Sequence, residues 1–87
     1  MAINNAVKLI NRIRDSRTLR ASLYTCENPI DLENYVKSLG YSFTYSEFED
    51  AYRKLLLSSH SHEDAFQITE ICNMYLLLLG KAPLETY

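Results

Sequence analysis

Three groups of residues have side chains that could do chemistry: the tripeptide His60-Ser61-His62, the cysteines Cys26 and Cys72, and a basic run at the start of the chain. Two imidazoles can ligate a metal or move protons. Positions i and i+2 do not share a helix face, however, and no third ligand stands at a spacing that would complete a site. The tripeptide reads instead as a polar loop in which Ser61 starts the next helix. A thiol near a histidine could be a nucleophile with its base, but Cys72 falls in the middle of an apolar stripe, where cysteine behaves as a small hydrophobe. Neither cysteine has a close partner or a secretory signal upstream, so both are expected to be reduced. Two glycines in the whole chain are too few for a phosphate-cradling loop, and no dinucleotide or P-loop pattern occurs. The expectation is no catalytic, cofactor-binding or metal-ligating residue, and no enzyme.

The basic run is Lys8, Arg12, Arg14, Arg17 and Arg20, opposed in the first twenty residues by Asp15 alone, although the chain as a whole carries a net charge of -2. Such a segment can track phosphates. On a small acidic domain it is more often a solvated helix face or a set of partners for acidic neighbours, so nucleic acid is the weaker expectation. The helix pair at 16 to 39 does not rescue it, because Asn28-Pro29 replaces the tight glycine turn of a helix-turn-helix.

What must position these residues is one small core. At 87 residues, 47% of them hydrophobic, the chain can bury a single core but not a deep cleft with its supporting shell. Two glycines and two prolines cannot punctuate an all-β fold. The longest unbroken apolar run, Met74 to Leu79, is far short of a bilayer span. A cytoplasmic all-α single domain follows, a bundle of four to five short helices.

Ile3, Ala6, Val7, Ile10 and Ile13 recur at helical spacing and predict a first helix over about 3 to 14. Asp15 or Ser16 can cap a second, with Leu19 and Leu23 inward, Tyr24 extending the apolar side, and Arg17 and Arg20 pointing away. Asn28-Pro29 starts a third, whose inward positions are Leu32, Tyr35, Val36 and Leu39. The fourth opens at Tyr45, buries Phe48, Ala51, Tyr52, Leu55 and Leu56, and frays near Ser58. Ser61 with Asp64 marks a fifth, which carries Ala65, Ile68, Cys72, Tyr75 and Leu79 inward and stops at Gly80 and Pro83. A helical loop at 58 to 61, fusing the last two helices into one rod, is the alternative.

The best-specified stretch is Leu39 to Phe48. Gly40 can take the left-handed conformation that closes a helix. Thr44 and Glu47 have capping-box spacing, and Phe43 and Phe48 flank them as a hydrophobic staple. The aromatic residues gathered here, Tyr35, Tyr41, Phe43, Tyr45, Phe48 and Tyr52, either fill the core or line a peptide groove.

Ile10, Asp15, Leu19-Arg20, Leu23 and Leu32, followed by Gly40-Tyr41, Phe43-Thr44 and Glu47, resemble the Nif-eleven-like leader peptide domain over residues 3 to about 52. The distinctive piece is G-Y-x-F-T-x-x-E. The resemblance implies a helical protein that binds rather than catalyses: some members are associated with nitrogen-fixation gene clusters, and others are leader regions that dock modification enzymes onto ribosomally made peptides. The chain lacks a double-glycine cleavage site and a Cys-, Ser- or Thr-rich segment after Gly80. A stand-alone member is therefore expected, with residues 53–80 as a helical extension and 81–87 as a tail.

That leaves a protein-interaction module without a cofactor. Its candidate surface is Leu77, Leu78, Tyr41 and Tyr45. Four consecutive leucines, Leu76 to Leu79, face nearly every direction around a helix. Those on the Ile68, Cys72, Tyr75 and Leu79 side are expected inside and Leu77 and Leu78 outside, which points to a homodimer through the last helix. Packing of the extra leucines under the first helix, or under Pro83 and Leu84, is the alternative.

Overall fold

The structure, a computed structural model, describes residues 3–80. All their regular structure is helical: α1 (Ile3–Asp15), α2 (Arg17–Tyr24), α3 (Pro29–Ser38), α4 (Tyr45–Leu57) and α5 (His62–Leu78). The expected all-α fold and the five expected helices are observed. Pro83, Leu84 and the expected tail at 81–87 lie outside the described residues.

Each helix start from α2 onward is chemically specified. The Ser16 hydroxyl accepts the Leu19 N–H at 3.0 Å, and the Asn28 side chain accepts the Asp31 N–H at 2.8 Å ahead of Pro29. Thr44 and Glu47 close a complete capping box: the Glu47 N–H donates to the Thr44 hydroxyl at 3.1 Å, and the Thr44 N–H donates to the Glu47 carboxylate at 2.7 Å. Ser61 accepts the Asp64 N–H at 3.1 Å, so α4 and α5 are separate helices rather than one rod. Asp64 gives its carboxylate not to a box but to Arg14, tying the start of α5 to α1.

Helix α1 lies at the centre, packed against α2, α4 and α5, while α4 also packs against α5. Enclosure on several sides explains a difference from the periodic reading. The stripe is Ala6, Leu9, Ile10 and Ile13, all fully buried, with Val7 and Ile3 only half-buried. A single narrow stripe leaves out Leu9; a helix surrounded by three others buries a wider one. Leu19 and Leu23 of α2, Leu32 and Val36 of α3, and Phe48, Ala51 and Tyr52 of α4 close on it. Tyr52 spans α4 to α5 through its hydroxyl, 3.1 Å from that of Thr69. Thr69 donates its one hydroxyl proton to the Ala65 carbonyl, so Tyr52 is the donor of this pair.

Four side chains, Tyr24, Arg20, Leu78 and Leu79, lie elsewhere than their spacing suggests. Tyr24 does not extend the buried side of α2: it is 61% exposed, because it lies about 100° round the helix from Leu23, which with Leu19 faces the core. Arg20 does not point away. Its guanidinium folds back and donates to the Ile13 and Arg14 carbonyls at 2.7 and 2.9 Å, capping the end of α1. On α5 the fully buried leucine is Leu76, with Leu79 half-buried, so the inward side at this end is centred on Tyr75 and Leu76. Leu78 is also half-buried, and of the four leucines Leu77 alone is exposed.

Candidate functional site

The turn between α3 and α4 is built from local bonds and then locked from outside. Gly40 has φ +95°, the Tyr41 N–H donates to the Val36 carbonyl at 3.2 Å and the Gly40 N–H to the Lys37 carbonyl at 2.9 Å. This is the paired bonding that ends a helix on a left-handed residue. From α1, the Asn5 side chain donates to the Ser42 carbonyl at 3.3 Å, and Arg12 donates to the Tyr41 hydroxyl at 3.3 Å with its guanidinium carbon 6.0 Å from the ring centroid. Phe43 stacks on Phe48 with centroids 5.8 Å apart, as a staple should. Sequence reasoning missed the third ring. Tyr75 of α5 stacks on Phe48 at 5.1 Å and tilts against Phe43 at 6.4 Å, so the staple is anchored to the last helix. Only its place on the α5 stripe signalled that contact.

Beside this turn runs a groove of about 220 Å³. Tyr41, Phe43, Tyr45, Phe48 and Tyr75 line it, together with Glu33 and Lys37 of α3. Tyr45 is 41% exposed and Tyr41 half-buried. The two leucines proposed with them are not here: Leu77 and Leu78 line a separate, wider cleft between α2 and α5, with Tyr24, Ile71 and Met74. The candidate surface is thus two surfaces, and the end of α5 divides them, Leu76 and Leu79 bordering the groove and Leu77 and Leu78 the cleft.

The basic run is dispersed. Arg12, though exposed, is held on Tyr41, Arg14 on Asp64 and Arg20 on two carbonyls, while Lys8 and Arg17 are exposed and make no ion pair among the described residues. Cys72 is buried and its thiol is pushed up to about 12 by that burial, against the opposing pull of the Arg14 charge, so thiolate is suppressed at neutral pH. Burial likewise raises the Tyr75 phenol, assisted by the negative charges of Glu33 and Cys26. His60 and His62 are both exposed, and no group of three or more His, Cys, Asp or Glu among the described residues could hold a metal. No described helix is long and apolar enough to cross a membrane.

The model of the Nif11 domain matches residues 1–48, more than half of the chain, and its span contains the glycine closure, the capping box and the staple. The chain belongs to the Nif11 domain family. No curated protein and no solved structure matches it. The Nif11 match ends four residues into α4, yet α1 packs on both α4 and α5, so the matched segment and the rest share one core. Family and fold together describe a small, Nif11-related helical protein.

Proposed function

We propose that this protein is a stand-alone, cytoplasmic interaction module that seats a segment of a protein partner in the groove beside the α3–α4 turn. The observation carrying the reading is the pair of tyrosines: exposed Tyr45 and half-buried Tyr41 line the groove on a capped turn, and Arg12 of α1 holds Tyr41. Aromatic side chains carried on a locally fixed turn suit a peptide-binding surface, since little backbone ordering is needed on binding. Lys37 and Glu33 in its lining would orient the segment. Nif11 membership supports binding over catalysis, and a link to nitrogen fixation is part of the proposal. The test is capture from the native host on immobilised wild type and Tyr45→Ser, followed by titration of the captured protein after purification. Loss of a hot-spot aromatic should weaken that binding roughly fivefold or more; equal affinity for both would remove the groove from the reading.

Family membership also supports a leader region, or the relic of one, that docks a modification enzyme onto a ribosomally made peptide. A modification enzyme and a processing protease encoded beside the gene would favour it. A neighbourhood without them favours the stand-alone module.

A further inference from the structure

The α2–α5 cleft plays no part in that reading, and α5 carries more apolar surface than the other described residues cover. Its core side is Ile68, Cys72, Tyr75 and Leu76. A second stripe, Ile71, Met74 and Leu78, is spaced by three and then four and stays half-buried, with Leu77 beside it 62% exposed. A helix apolar on both sides needs cover on both. Spacing by three and four is the seam that pairs with another helix of the same period. Exposed Tyr24 of α2 widens the strip across the cleft.

The charges say which helix. The same cleft holds Glu70 on its α5 wall and Arg20 on its α2 wall. Glu70 makes no ion pair among the described residues. Arg20 uses one terminal nitrogen for its two carbonyls, which leaves donors on a five-donor guanidinium. A surface carrying an acid on one wall, a base on the other and apolar side chains between is self-complementary under a two-fold rotation, which sets each wall against its opposite.

We propose that a second copy of this chain covers the cleft, in a two-fold dimer that packs Ile71, Met74, Leu77 and Leu78 against their equivalents and sets Glu70 of each copy beside Arg20 of the other. The proposal is independent of the groove. Sedimentation equilibrium of the full chain at micromolar concentration tests it. Wild type is expected to be dimeric, and Leu77→Glu monomeric with unchanged helicity, since the side chain replaced is exposed in the single copy. Ile30→Glu, at an exposed apolar position on α3, should stay dimeric. Glu70→Arg should associate roughly threefold to tenfold more weakly, as expected for two exposed ion pairs turned repulsive. A monomeric wild type, a dimeric Leu77→Glu, or a Glu70→Arg that associates as tightly as wild type would overturn the arrangement.

Discussion

The α3–α4 turn and the end of α5 meet at Tyr75, yet they are specified in opposite ways. In the turn the residues that set the backbone each have a local role. Gly40 ends a helix, Thr44 and Glu47 begin the next, and Phe43 and Phe48 fix the angle between them. At the end of α5 a run of apolar residues has no local role at all. Which of them is buried depends on where the other helices stand, and the answer, Leu76 inside and Leu77 outside, is a property of the bundle. Local chemistry therefore fixes conformation in the one place, and tertiary packing assigns roles in the other.

Core truncation is the strongest way to break the contrast, because it strikes where the two regions touch. Phe48→Ala removes the ring between Phe43 and Tyr75 and should cost about 3–5 kcal/mol, read by urea denaturation. A cost near 1 kcal/mol would mean that the turn is not anchored on α5. Next comes the pair of adjacent leucines. Leu76→Ala should cost about 2–5 kcal/mol and Leu77→Ala less than about 0.5 kcal/mol when both are measured on the monomer. Similar costs for the two would mean that the bundle does not discriminate between neighbours on α5.

Those neighbours show where sequence stops. The helix starts from α2 onward were legible, because each rests on a side chain to backbone bond within three residues, whereas Ser61 signalled a break between α4 and α5 without excluding a single rod. Leu9, Tyr24 and Arg20 were misread or missed because each depends on distant structure: three helices around α1, a core that reaches Leu23 but not the adjacent face of α2, and carbonyls at the end of another helix. The candidate surface divides in two for the same reason. Tyr41 and Tyr45 on one side of α5 and Leu77 and Leu78 on the other are separated by a helix whose rotation the sequence leaves open.

Backbone strain in the turn should come third. Gly40→Val places a β-branched residue at φ +95°, and since the added Cβ itself has open space around it, the main effect is conformational. About 1–3 kcal/mol is expected, and a variant as stable as wild type would mean that α3 can end without the left-handed residue.

The α5 side has a pH counterpart. The Cys72 thiol has an ordinary value of 9.0 and a native one of about 12. Between those values the unfolded chain releases a proton that the native chain keeps, so stability that is complete below pH 9.0 falls as pH rises. One unit above the ordinary value the loss is about 1.4 kcal/mol. The same burial predicts that a thiol-specific reagent near neutral pH labels half-buried Cys26 and reaches Cys72 only when urea unfolds the chain. Equal labelling rates in the native protein would contradict the burial of α5.

The smallest effect isolates the local half of the comparison. Thr44→Ala removes the acceptor of the Glu47 N–H but leaves the Glu47 carboxylate on the Thr44 N–H, so half of the box survives. A loss of about 0.5–2 kcal/mol is expected, with Thr44→Ser close to wild type because the accepting oxygen is kept. Residue 44 is exposed, so the change opens no cavity and should leave the slope of the urea transition unaltered. A Thr44→Ala/Glu47→Ala double variant then measures the coupling between the two bonds. Reciprocal capping requires the double variant to differ from the sum of the singles, because both bonds order the same first turn. Strict additivity would mean that each bond acts alone, and that the order of the turn comes from Phe43, Phe48 and Tyr75 instead.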